Sequence, residues 1–449
     1  MKRIYTLLIC LLTLLNFTGC RDFLDEKSSS KLTTIESLAD LQALLDNYGF
    51  LNTEFASSGE TGADDYYLTD SQYNSLNFEE DKRLYTWMPD RVAKPASLGN
   101  NWMACYRAIY VCNAVIQSLD AGGYVGAQAD HLRGQALALR AARYLDAAQI
   151  WCLAYDPATA ESTLGLPLRL DPDMNIPSVR STLEETYSQI INDLSAAAPL
   201  LPEKQVSKMR MSRNAVFGLL ARTYLFMGND ELALSYTNKA LEITSSLMDF
   251  STLNPDAEYP MQEMNDEVLF WGGMTYEYHL IPAYIDRTFY NRYDDNDLRK
   301  QIYFKVTDQG AVFYKGYYNN ANGPNTSVTV DELYLIRSES LARTGNYTAA
   351  MAGLNSLLIT RWKPGTFIPL TADTPQQALA MIIEERRKEL LIRGLRWADL
   401  KRYNRDGANI TLTRTVNGQT YHLPPNDLRY AVAIPEEIIQ LSGIVQNPR

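Results

Sequence analysis

The chain has 449 residues, a formal net charge of -11 and 46% hydrophobic residues. That length supports one very large core or two to three smaller ones. With 11% aromatic and 21% charged residues the composition excludes a disordered chain. The acidic balance argues against nucleic acid, whose phosphates require a surplus of Lys and Arg, and against a polybasic mode of membrane docking. Tyrosine is heavily used, 29 residues against 13 Phe, and Tyr suits a flat apolar face that must also sit in water.

At the N-terminus Lys2 and Arg3 precede an apolar run over residues 4–17. The run is short for a membrane span, and it reads as an export signal. Phe17-Thr18-Gly19-Cys20 is similar to a bacterial lipobox, with Phe17 where Leu is usual. This predicts a lipoprotein signal peptide over 1–19 and lipidation of Cys20. Acyl chains anchor firmly because each buried CH₂ contributes about 0.8 kcal/mol. Of the five cysteines, Cys10 then leaves with the signal and Cys20 carries lipid. Cys105 and Cys112 stand seven apart on an expected helix, about 10 Å along its axis and too far for a disulfide. With the isolated Cys152 they read as buried small hydrophobes, and neither a disulfide framework nor a zinc site is supported.

Residues 20–31 are the lipidated Cys and a polar, Ser-rich tether, and 32–449 are expected to form a single mainly α domain. Leu38, Leu41, Leu44 and Leu45 predict a helix over 35–48. Residues 51–98 show no long period and are expected to be an irregular insertion. Two helices follow, over 102–119 and 127–151, split by Gly122-Gly123. The second carries Ala138, Ala141, Ala142 and Ala148, small residues that admit a close neighbour. Helices are also expected within 182–202 and 212–245. Gly228-Asn229 and Gly345-Asn346 stand at equivalent places in two similar segments, each a helix that ends at Gly before a short turn and a second helix. This resembles the tetratricopeptide hairpin. The expected units are about 99–152, 182–245 and 330–404, counted as up to four hairpins. Between them, residues 250–328 form an irregular Tyr-rich insertion, read as a presented surface, with a short strand at 268–271.

The chemistry of the chain points away from catalysis. His131, His279 and His422 are scattered, and no HExxH, GxSxG, P-loop or GxGxxG motif stands in a suitable context. The acidic pairs Asp64-Asp65 and Asp294-Asp295 could serve a glycosidase, but loop acids and turn formers are the commoner use of such residues. Asp294-Asp295-Asn296-Asp297 leaves room for a structural calcium ion, without the Gly and distal Glu of an EF-hand. Sugar binding needs flat apolar faces for the C–H side of a pyranose and planar polar groups for its hydroxyls. The candidates are Asp65, Tyr66, Tyr67, Tyr73, Trp87, Trp102, Trp271, Tyr276 and Tyr290. For Trp102 and Trp271 core packing is an equally direct reading.

The C-terminal stretch carries a family resemblance. Glu385-Arg386, Glu389-Leu390 and the run Gly394-Leu395-Arg396-Trp397-Ala398-Asp399-Leu400-Lys401-Arg402 resemble the signature of the SusD/RagB family of outer-membrane nutrient-binding lipoproteins. Ile434-Pro435-Glu436-Glu437-Ile438, Gln446-Asn447-Pro448, Cys20-Arg21-Asp22-Phe23-Leu24-Asp25 and Asp64-Asp65-Tyr66-Tyr67 extend the likeness over most of the chain. Arg393 and Ala398 depart from it, standing where Glu and an aromatic are usual. Residues 382–402 read as one structural helix with Glu385–Lys388 and Glu389–Arg393 pairs. The resemblance implies tetratricopeptide-like helical units with an irregular ligand-binding side, a surface-exposed outer-membrane lipoprotein, no cofactor and no catalysis. It further implies a SusC-like TonB-dependent barrel as partner and a glycan as ligand. The alternatives are a peptide ligand, as for RagB-like members, a lipoprotein glycosidase, or a helical adaptor without a small ligand.

Overall fold

Side-chain caps open most of the long helices and glycines close several of them. In the computed structural model, which describes residues 37–319 and 321–449, α1 is Leu38–Leu45, capped by Ser37. The expected signal, Cys20 and the tether lie outside the described residues. Asn100 Oδ1 accepts from the Met103 N–H at 2.9 Å and opens α2, Asn101–Ala121. Gly122 and Gly123 end it, and α3 runs Ala127–Trp151. A capping box between Thr182 and Glu185 opens α4, Leu183–Ala197. The two Gly-Asn turns behave alike. Gly228 (φ 79°) closes α5, Arg213–Met227, and Asn229 caps α6, Asp230–Ile243. Gly345 (φ 90°) follows α7, Val330–Arg343, and Asn346 caps α8, Tyr347–Leu358.

Each helix packs on its successor, α2 on α3, α3 on α4, α5 on α6 and α7 on α8, while α6 also meets α7. The alanine stripe of α3 is buried as its spacing requires. At the α3–α4 contact Arg140 is bidentate to Asp193, at 2.7 and 2.8 Å. On α5 a Cβ at Gly218 would lie 2.6 Å from Val328 Cγ1, so a larger residue there would have to displace the Val328 side chain. Cys105, Cys112 and Cys152 are free thiols within this apolar core.

The two insertions are more ordered than their lack of period implies. Residues 51–98 contain the short helices Ser58–Gly62, Asp70–Asn74 and Glu79–Tyr85. The expected strand at 268–271 is Val268–Phe270, antiparallel to Val328–Thr329. Phe304–Val306 pairs with Val312–Tyr314, and Leu412–Val416 pairs with Gln419–Leu423 around Asn417-Gly418. The tyrosines of 250–328 do not all form a surface. Tyr293, Tyr303, Tyr314, Tyr317 and Tyr318 fill a second apolar cluster, with their hydroxyls bonded to carbonyls and carboxylates. Tyr serves there as a large core residue whose polar end finds a buried partner.

Residues 382–402 are not one helix. They divide into α9, Pro375–Glu389, and α10, Arg396–Arg405. Ile392 (φ 55°) and Gly394 (φ 72°) turn the chain, and the Gly394 N–H donates to Glu60 at 2.9 Å. Lys388 meets Glu385 at 2.7 Å as expected, but Glu389 does not pair with Arg393. Glu389 instead takes Arg299 at 2.9 Å and Arg361 at 2.8 Å, and Arg393 reaches Asp331 at 3.5 Å. Arg299 also holds Asp297 at 2.7 Å and Glu385 at 2.6 Å, and Arg361 holds Glu267 at 2.7 Å. On the other side Arg386 and Arg402 share Asp399, and Arg402 binds Glu339 of α7. Asp297 is thereby committed to an ion pair, Asp295 meets Lys300 at 2.7 Å and Asp294 caps a turn, so the 294–297 acids are occupied as structural groups.

The helix Ser58–Gly62 lies against Trp397, whose ring would be 2.9 Å from a Cβ at Gly62. This contact buries Glu60, and burial together with the charge of Asp65 pushes its carboxyl up to about 8. Burial likewise pushes Glu267 up to about 7. Removing one partner from a buried ion network leaves charges uncompensated, so Arg299→Met should lose about 3–5 kcal/mol. Urea denaturation measures this, and a loss typical of a surface substitution would exclude a supporting role. A carboxyl raised above its ordinary range binds its proton more tightly in the folded state. Stability should therefore fall as pH climbs from about 5 to about 8. Thermal melts across that range should show a shallower fall for Glu60→Gln than for the wild type.

Candidate functional site

Two clefts lie among the short elements, with Leu68 in the wall of both. The first has two lobes of about 830 and 750 Å³ that share Phe78, Asp81, Lys94, Tyr276 and Glu277. Helix capping builds its floor. Asn101, the first residue of α2, accepts from the Ser57 and Ser58 N–H groups at 3.1 and 2.9 Å, which ties the 57–58 turn to the helix. Trp102 follows, 4% exposed, stacked on Tyr106 with centroids 4.7 Å apart and edge-on to Trp151 at 5.0 Å. It lines one lobe while belonging to the apolar core. On the rim Tyr276 is 47% exposed and Tyr278 79% exposed, in an edge-to-face pair at 5.1 Å.

The polar centre of this cleft is Lys94. Its Nζ is 2.6 Å from Glu277 Oε2 and 3.4 Å from Asp81 Oδ1, and 5.0 Å from the centroid of Phe78. Burial and the neighbouring Glu277 push the Asp81 carboxyl up to about 7. His279 closes the floor with Nε2 3.0 Å from Thr61 Oγ1, and burial beside Lys94 pushes it down to about 3, so it is uncharged at neutral pH. Ligand atoms of Asp81, Glu277 and His279 lie within 4.8 Å of one another. The ammonium of Lys94 is the cation that meets two of the three.

The second cleft, about 900 Å³, gathers Asp64, Asp65, Tyr66, Tyr67 and Trp87 with Arg387 and Arg414. Tyr67 is 38% exposed and edge-on to Tyr284 at 5.9 Å. Tyr66, Tyr85 and Trp87 are buried beneath the Arg414 guanidinium, which lies 3.8 to 5.5 Å from their ring centroids. Asp64 bonds Arg396 at 2.7 Å and Arg387 at 3.0 Å, and Asp65 meets Arg387 at 3.2 Å. Burial raises both carboxyls. The two arginines outweigh it at Asp64, which is held well below the carboxylate range, but not at Asp65, which is pushed up to about 6. Both acids are engaged as ion-pair partners of α9 and α10.

The structure therefore divides the residues singled out by sequence. Trp102 and Tyr276 meet in the first cleft, and Asp65, Tyr66, Tyr67 and Trp87 meet in the second. Tyr73 is half-buried against Tyr85 at 5.9 Å. Tyr290 is half-buried, edge-on to Phe304 at 5.4 Å, with Lys300 5.2 Å from its ring centroid. Trp271 lies in the second apolar cluster. Lys94, Glu277 and Asn101 were not anticipated, and Tyr278 only as one of the tyrosines of the 250–328 insertion. The alternation Tyr276-Glu277-Tyr278 was a usable signal, since an extended backbone places its first and third residues on one face.

A protein-family model described as starch-binding and associating with the outer membrane matches residues 22–225. No curated protein matches the chain. A SusD superfamily protein from Bacteroides thetaiotaomicron superposes with a TM-score of 0.74 at 20% identity, covering 92% of this chain and 100% of that one. A SusD-like carbohydrate binding protein from Bacteroides vulgatus gives 0.70 at 22% identity, covering 91% and 97%. A laminarin binding SusD-like protein gives 0.66 at 18% identity, covering 91% and 98%. The chain is thus similar to the SusD-like family over residues 22–225, and it shares a tetratricopeptide-like fold with SusD superfamily proteins over nearly all its length.

Proposed function

We propose that the protein is a non-catalytic, cell-surface glycan-binding lipoprotein that captures oligo- or polysaccharide in the Lys94 cleft and passes it to a SusC-like TonB-dependent barrel in the outer membrane. The observation that carries the reading is the exposed Tyr276–Tyr278 pair above a polar cleft with a packed floor. Two aromatic faces held at right angles offer apolar surface to the C–H side of a sugar, and the groups below offer hydrogen bonds to its hydroxyls. The family description and the carbohydrate- and laminarin-binding neighbours point the same way. Asp64 and Asp65 are tied to arginines of the scaffold, which favours binding over glycosidase chemistry. Cys20 carries the anchor in this reading, and capture followed by release needs only affinity and a conformational step.

The soluble chain from residue 21 onward should be retarded in native gels cast with starch or laminarin. Tyr276→Ala and Tyr278→Ala should each weaken binding about three- to tenfold, the worth of one aromatic contact. Trp87→Ala, in the other cleft, should leave retardation in place provided it folds. Retardation by no polysaccharide, with binding of peptides instead, would replace the glycan reading by the peptide one. In cells Cys20→Ser should move the protein from the membrane fraction to the soluble fraction, and retention at the membrane would exclude the anchor.

A further inference from the structure

We infer that the Lys94 cleft selects uncharged sugars and turns away anionic ones, because Glu277 and Asp81 already hold its one lining cation. This rests on the glycan reading and specifies the ligand class. Among the described residues that line the two lobes, Lys94 is the single Lys or Arg, facing two carboxylates. Its Nζ lies 2.6 Å from Glu277 and 3.4 Å from Asp81, and all three side chains are largely buried. His279 supplies no second charge, since burial beside Lys94 keeps it neutral.

A uronate or sulfated sugar entering the cleft has two courses. It can leave the clamp intact and lie close to Glu277 and the partly ionised Asp81, where like charges repel in a partly desolvated setting. Otherwise it can draw Lys94 away, which leaves Glu277 buried with the Ser57 hydroxyl as its hydrogen-bond donor. A neutral hydroxyl meets neither obstacle. It donates to the Glu277 carboxylate, and accepts from neutral amide and hydroxyl groups on the lining. The clamp therefore acts as negative selection: it contributes polarity for hydroxyls while withholding the free cation that an anion needs.

The test compares starch and laminarin with the same polysaccharides oxidised at C6 to uronates, bound to the soluble chain at neutral pH and low salt. The neutral forms should bind, and the oxidised forms should bind at least about tenfold more weakly, with the gap shrinking as salt is added. Glu277→Gln and, independently, Asp81→Asn should narrow the neutral-to-anionic ratio by releasing Lys94, whatever they do to neutral binding itself. Equal or tighter binding of the oxidised forms by the wild type overturns the inference and leaves the glycan reading intact. A ratio unmoved in both variants, with each shown to be folded by its melt, also overturns it. Binding of neither form removes the glycan reading and this inference with it.

Discussion

Arg299 and Arg361, neither exposed to solvent, are the joint between the two halves of this molecule. Their guanidinium groups gather Asp297, Glu385, Glu389 and Glu267, so that α9 holds the 250–328 insertion by ion pairs inside the protein. Desolvating that many charges is costly, and planar forks that satisfy several carboxylates at once are the chemistry that offsets it. Neighbouring arginines of the same segment, Arg386 and Arg402, grip the helical side through Asp399 and Glu339. One short stretch thus fastens the irregular face to the hairpins.

The helical side was largely legible in the sequence because its determinants are local. Asn229 and Asn346 cap the residues three ahead of them, and Gly228 and Gly345 supply a positive φ that a side chain would resist. The signature segment was legible as structural but not as broken. Its bend depends on Gly394 bonding Glu60, more than three hundred residues earlier, and no local period records such a contact. The Tyr-rich insertion misled for a similar reason. A tyrosine reads as amphipathic until its hydroxyl is seen to end on a buried carbonyl, as Tyr293 does on Lys388 and Tyr317 on Leu280.

The clefts show the same division. Tyr276 was legible as an aromatic in a poorly periodic segment, and the structure leaves it exposed. The Lys94–Glu277 pair was not, because its members are brought together from two insertions by folding alone. The tryptophans drew attention as sugar platforms, yet Trp271 packs in the core and the Trp87 indole donates to the Gly62 carbonyl. A large ring with one polar atom satisfies an interior as readily as a ligand, and composition does not separate the two uses.

Trp102 has a consequence for the cost of the proposed binding. It is wedged between Tyr106 and Trp151 and forms at once the outer layer of the helical core and the inner wall of the cleft. A wall of that kind keeps its shape whether or not anything rests on it. The entropy lost when a ligand arrives then falls mainly on the exposed Tyr276 and Tyr278 side chains, each with few rotatable bonds. Under the proposed function little is ordered on arrival, so most of the contact energy made in this cleft is left to hold the ligand.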